Sequence, residues 1–229
     1  MEFVAAVTGW LVDPAHWSGG DGIPVRIGEH LLLSAVPVVV AALLALPLGL
    51  FIGHTGRGGF VVVSVANVGR ALPSLGIMGI ALLFTAGLGF GFGEPAILIA
   101  LFALALPPMV TNTYAALRAI DRDLLEAGRG MGMRELQLLR RVELPLALPV
   151  ILAGVRIAAV QVVATASLGA VLATGGLGRY IIDGIANKVY PEVFVGAALT
   201  ALLAILTELA FGLAQRLLVS RGVRAAGAP

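Results

Sequence analysis

The sequence predicts an all-α integral membrane protein with five core transmembrane helices, or six if the second span is two pieces, and a polar helical segment on the cytoplasmic side. Three observations carry this. Of the 229 residues 59% are hydrophobic and 12% charged, with a mean hydropathy of +1.01, whereas soluble domains carry roughly 25% charged residues. Several apolar runs reach the ~20 residues that a helix rising ~1.5 Å per residue needs to cross a ~30 Å hydrocarbon core. Runs such as LLLSAVPVVVAALLALPLGLFIG do not alternate apolar and polar positions, as the ~10-residue strands of a membrane barrel would.

The spans are expected at 31–53, 59–86, 94–117, 147–172 and 193–219, within a membrane domain of 31–219. The second contains Arg70, Pro73 and Gly76, so it reads as one broken helix or two shorter ones. The link GLGFGFGE at 87–94 has the alternating glycines of a turn. TGGLGRYIIDGIANKVYPE, between the last two spans, is too polar for lipid but apolar enough for a short surface helix. The tail 1–30 lacks the basic start of a cleavable signal; its Trp10 and Trp17 suit a headgroup boundary.

Orientation follows from Lys and Arg in short loops. One side has Arg57, Arg118, Arg122, Arg129, Arg134, Arg140, Arg141, Arg216, Arg221 and Arg224; the other has Arg26, Arg179 and Lys188. The first side is therefore expected to be cytoplasmic. Five spans then put the amino terminus outside and the carboxyl-terminal tail, 220–229, inside.

The charge is concentrated in EAGRGMGMRELQLLRRVELPLALP, residues 126–149. Asp123 and Glu126 have capping-box spacing, so a short helix is expected to start near Leu124. Gly130 and Gly132 allow a left-handed bend. A second helix, MRELQLLRRV, would put Leu136, Leu139 and Val142 on one face, with Pro145 stopping it before span four. Ala127 and Gly128 offer a bare patch for another surface, and Met131 and Met133 are adaptable side chains beside the turn. A charged loop lying on anionic headgroups fits the composition equally well. The spacing shifts the balance away from it.

Glu126-Ala127-Gly128, then Gly132, then Val142-x-Leu144-Pro145 resembles the signature of the membrane subunits of binding-protein-dependent ABC importers: EAA, three residues, G, nine residues, I-x-L-P. Gly128 stands for the second Ala and Val142 for the Ile, both size-conservative changes. A narrower similarity, to permeases for glycine betaine, carnitine and choline, rests on Arg70-Ala71-Leu72-Pro73-Ser74-Leu75, Asn112-Thr113-Tyr114, VELPLALPVILAGVR and GGLGRYIIDGI. The resemblance implies a MetI-like permease fold and a coupling helix within 121–145 that sits in a groove of an ATPase subunit. Asp123, Glu126, Ala127, Gly128, Gly132, Leu144 and Pro145 are its expected coupling residues. It further implies a second permease copy or a homologous permease, an extracytoplasmic substrate-binding protein, and the inner membrane as location. Alternatives are an importer for an amino acid or methionine, a stand-alone channel or carrier, and a membrane scaffold.

No chemistry is expected of the chain itself. Its only lysine, Lys188, follows Asn187, so no GxxxxGK[ST] loop exists. ATP and Mg would be bound by the partner ATPase, and no cofactor by this chain. His16, His30 and His54 lack metal-ligand spacing, there is no cysteine, and nucleic acid is not an expected partner, whereas membrane lipid is.

Polar residues inside spans are the remaining candidates. Arg70, Arg156 and Glu208 sit at similar depth, where an ionic residue costs roughly 2.5–3.5 kcal/mol on insertion scales, so Glu208 is expected to pair with Arg156 or Arg70. Asn67, Arg70, Pro73, Ser74, Thr111, Asn112, Thr165, Ser167 and Thr174 are candidates for lining a path, although Ser and Thr in such helices commonly bond their own backbone. Pro47, Gly49, Gly53, Pro73 and Gly76 are expected to serve bending and close packing. Aromatics make up 6% of the chain and both tryptophans lie in the tail, so an aromatic cage for a quaternary ammonium is not expected here. Selectivity would reside in the binding protein.

Overall fold

The computed structural model describes residues 1–90, 93–220 and 222, with the side chain of Arg70 outside the described set. Gly91 and Phe92 of the 87–94 link, and Arg221 and Arg224 of the tail, lie outside it too. The described residues form helices α1 (Glu2–Val12), α2 (Ile23–Thr55), α3 (Gly59–Ala71), α4 (Ser74–Gly87), α5 (Glu94–Arg118), α6 (Arg122–Gly130), α7 (Glu135–Leu138), α8 (Leu144–Ala166), α9 (Gly178–Ala186) and α10 (Tyr190–Leu218). A π-turn, Leu139–Glu143, joins α7 to α8, and a 3-10 turn, Ser167–Leu172, extends α8.

Four continuous runs are long and apolar enough to cross a membrane: Ile23–Thr55, Glu94–Arg118, Glu135–Leu172 and Tyr190–Leu218. α3 and α4 meet at 98°. With 13 and 14 residues, each is only about 20 Å long, short of the ~30 Å core. The bent pair is one broken span or a re-entrant loop, so the described residues hold four spans, or five if the pair counts as one. The break follows from Pro73: the residue before a proline is pushed out of the helical region, and Leu72 is extended at φ −76°, ψ 131°.

α2 begins well ahead of the apolar run expected from 31. Pro24 occupies its first turn, where a missing N–H costs nothing, and Arg26, Glu29 and His30 are helical because each finds a polar partner. The helix ends on Gly56, left-handed at φ 70° with its N–H bonded to the Ile52 carbonyl.

α5 is the hub, packed between α2, α8 and the α3–α4 pair. In lipid no hydrophobic force draws helices together, so close backbone approach through small residues does that work. A Cβ on Gly49 would lie 2.6 Å from Thr113 Cβ, on Gly53 2.8 Å from Leu117 Cβ, and on Gly154 2.6 Å from Asn112 Cβ. The buried core runs along these seams through Ala41, Ala45, Ala105, Met109, Ala158 and Val162.

At the end of the bundle that carries α9, the amino-terminal residues are docked. Trp10 stacks on His16 at 3.8 Å and meets Tyr180 edge-on. Ile23, Leu177 and Tyr180 form a small core beneath them. The Tyr180 hydroxyl donates to the Asp21 carbonyl at 2.6 Å, and burial pushes its pKa up to about 12, so it remains a donor.

Candidate functional site

The polar segment between α5 and α8 folds into two short helices at a sharp turn. Asp121, not Asp123, caps α6: its carboxylate accepts from the Asp123 N–H at 2.9 Å. Its extended backbone places Arg122 as the first helical residue, so Asp123 lies in the first turn, where a carboxylate still favours the positive helix end. Gly132 is left-handed at φ 82° and its surroundings are open, as a bend requires. Gln137 accepts from the Arg134 N–H at 2.9 Å and starts α7.

Beyond the turn the expectations need correcting. Leu138, not the Leu136–Leu139–Val142 stripe, is the buried anchor, while Leu136 is 58% exposed. Pro145 does not stop the helix. The π-turn takes up an extra residue just before it, and Pro145 falls in the first turn of α8, so the helical run continues into the membrane. Leu144 is half-buried and Pro145 exposed. Gly128 is not bare: it is buried beneath Leu138, and a Cβ there would lie 2.7 Å from Leu138 Cδ1. Glycine is therefore the residue that lets α6 and α7 close on each other. Glu126 and Ala127 are exposed, and with Leu124, Met131 and Leu136 they leave an outward face that is partly apolar.

A charge network holds the segment in place. Arg129 grips Glu135 with two bonds, Nε to Oε1 at 2.9 Å and Nη2 to Oε2 at 3.1 Å, a fork geometry that adds directionality. His54, at the end of α2, places Nδ1 2.7 Å from Glu143 Oε2 and Nε2 3.4 Å from Glu135 Oε2. The Glu143 carboxylate is buried. His54, Arg118, Arg122, Glu126, Arg129 and Glu143 border a polar cavity of about 150 Å³. His54 and Glu143 were missed in the sequence. Their signal was slight: Glu143 is the last acid before the apolar span and follows Arg140 and Arg141, and His54 stands at the end of the first span.

The intramembrane candidates resolve differently. Arg156 Nε lies 3.3 Å from Glu208 Oε1, an ion pair without hydrogen-bond alignment. Its side chains are 33% and 46% exposed and line a groove of about 440 Å³ between α8 and α10. Gln215 spans the same helices by donating to the Pro149 carbonyl at 3.0 Å. Arg70's side chain lies outside the described residues. Glu208→Gln is expected to lower thermal stability in detergent by on the order of 1 kcal/mol, the scale of polar contacts between membrane helices. An unchanged unfolding temperature would remove the pair from the packing account.

Of the path candidates, Ser74 and Thr165 share a narrow cleft between α4, α5 and α8. Thr111 and Asn112 bond back to the Pro107 and Pro108 carbonyls, each at 2.7 Å, and Ser167 to Ala164 at 3.0 Å. Asn67 is exposed on α3 and Pro73 exposed at the break. Thr174 is buried near the start of α9, its hydroxyl turned toward Gly169. Among the described residues no group of His, Asp and Glu has the arrangement of a metal site.

Residues 45–223 match the family described as "Binding-protein-dependent transport system inner membrane component". The carnitine transport permease protein OpuCD of Listeria monocytogenes is 36% identical over 88% of this chain and 88% of its own length. The choline transport system permease protein OpuBB of Bacillus subtilis strain 168 is 34% identical over 90% of this chain and 93% of its own. The glycine betaine/carnitine/choline permease OpuCB of that strain is 32% identical over the same shares. In structure, the chain superposes on a chain of the inward-facing MetNI methionine ABC transporter with a TM-score of 0.77 and 24% identity, covering 91% of this chain and 99% of that one, a likeness of fold.

Proposed function

We propose, since this chain belongs to the family of binding-protein-dependent transport system inner membrane components, that it forms the membrane path of an ATP-driven importer for a small osmoprotectant: glycine betaine, carnitine or choline. The observation that carries the solute class is the similarity of nearly the whole chain to permeases named for those three compounds. The quaternary ammonium shared by them is the chemistry a dedicated binding protein would recognise, in keeping with the scarcity of aromatics here.

In this reading the segment 121–145 is gripped by a cytoplasmic ATPase, which binds ATP and Mg and does the hydrolysis. Its outward face offers Leu124, Ala127, Met131 and Leu136 for apolar contact and Glu126 and Arg134 for polar contact. α6 and α7, tied by the Arg129–Glu135 fork and by Leu138 seated on Gly128, move as one body. Binding and release of nucleotide then switch the permease by rigid-body motion between inward- and outward-facing states.

A path requires a second permease, and a half-exposed ion pair at membrane depth supports that need. Lipid is a costly neighbour for Arg156 and Glu208, and a second copy or a water-filled path would cover them. The amino terminus lies outside with α1 and α9, and the binding protein docks on that side. Uptake of labelled glycine betaine, carnitine and choline into vesicles holding the complete transporter tests the solute class. At least one is expected to accumulate in an ATP-dependent manner, and uptake of methionine or another amino acid alone would overturn it.

A further inference from the structure

α2 is held by polar contacts at both ends, and those contacts belong to different parts of the molecule. At the cytoplasmic end the His54 ring lies between two carboxylates, Glu143 from the π-turn and Glu135 from α7. At the outer end Glu29 Oε2 accepts from the Gly176 N–H at 2.7 Å. His30, fully buried, accepts from the Leu177 N–H at Nδ1, which places the ring proton on Nε2, where it donates to the Val163 carbonyl at 2.8 Å. His30 and His54 lie ~36 Å apart along the helix axis. Between them α2 is braced on α5 at Gly49 and Gly53.

We propose that His54 is the positioning residue that clamps the 121–145 segment to α2, so that a displacement of the segment travels along α2 to the 175–178 loop at the opposite end. The inference rests on the reading of that segment as the grip of an ATPase. The imidazole is suited to this role because its two nitrogens point in different directions from a rigid ring, and one carboxylate from each side of the α7–π-turn junction meets them. A tilt of α7 relative to α8 has to move the ring, and the ring is carried on α2. The Leu138–Gly128 and Arg129–Glu135 contacts lie within the segment and give it no such hold. At the far end the bonds run to backbone N–H groups of a loop with Gly176 at φ 90°, so a shift of α2 reaches the loop's backbone directly.

The test uses the complete transporter in vesicles with His54→Ala and His54→Asn. Asn keeps a donor at the Nδ1 position for Glu143 and gives up the reach to Glu135. ATP hydrolysis is expected to stay within about twofold of wild type in both variants. Solute moved per ATP, measured with whichever of glycine betaine, carnitine or choline the wild type takes up, is expected to fall about tenfold or more in His54→Ala and partway in His54→Asn. The chain has no cysteine, so Asn187→Cys takes a single spectroscopic label at the end of α9. Its nucleotide-dependent change is expected in the His54 background and not in His54→Ala, a readout that mere loss of stability would not select. A wild-type ratio together with a retained label response overturns the proposal. If His54→Ala does not reach the membrane, an unchanged ratio in His54→Asn overturns it alone. A wild-type complex that contains no ATPase fails the underlying reading instead, so the two failures are distinct.

Discussion

Gly178→Ala is expected to be among the most destabilising single substitutions in the chain, at about 3 kcal/mol, read as a drop in the thermal unfolding temperature of the purified protein. A Cβ at this position would lie 2.0 Å from the Ser167 carbonyl oxygen and 2.8 Å from Ser167 Cα. These are backbone atoms, so no rotamer change relieves the clash. α9 would have to lift from the 3-10 turn that follows α8. Leu177 and Tyr180, buried beside Ile23, would be drawn out with it. Gly79, with open space at its Cβ on α4, is the control: Gly79→Ala is expected to leave stability nearly unchanged. Equal unfolding temperatures for the two variants would refute the close approach of α9 to Ser167.

Gly132→Leu and Glu126→Arg are expected to abolish uptake while the protein still reaches the membrane. The two act differently. Gly132 has room for a side chain, but its φ of 82° costs a non-glycine residue roughly 1–2 kcal/mol, and a leucine there stands out from the turn between α6 and α7. Glu126 is exposed on α6 and borders the cavity shared with Arg122, Arg129 and His54. Reversing its charge adds a cation to that rim and removes the acid offered to a partner. Membrane fractionation and ATP-dependent uptake in the same cells separate folding from coupling. Retained uptake in both variants would mean that this turn is not where force enters.

The membrane character, the four long spans, the break at Pro73 and the helix-turn-helix were legible in the sequence because each depends on local pattern: apolar length, a proline before a break, Gly132 at a bend. The Arg156–Glu208 pair was legible for a related reason, since charges inside an apolar span have few partners available. What escaped were contacts between residues far apart in the chain. Glu143 and His54 are 89 positions apart and Glu29 and Gly176 147, and neither pair leaves a periodic trace. The cap lies at Asp121 although only Asp123 has a glutamate three residues on, because either aspartate can cap a helix and the backbone turn chooses. The π-turn ahead of Pro145 was illegible for another reason: proline normally marks a helix start or stop, and only an extra residue wound into the helix lets one run on from α7 through α8.

The most direct test of the account is gentle purification of the tagged chain from its native membranes, followed by identification of what accompanies it and assay of ATP hydrolysis. The account predicts a co-purifying ATPase whose activity leaves the preparation when Glu126 is replaced by arginine. A stable assembly made of this chain alone, without ATP hydrolysis and still moving solute in vesicles, would contradict it and make the protein a channel or carrier.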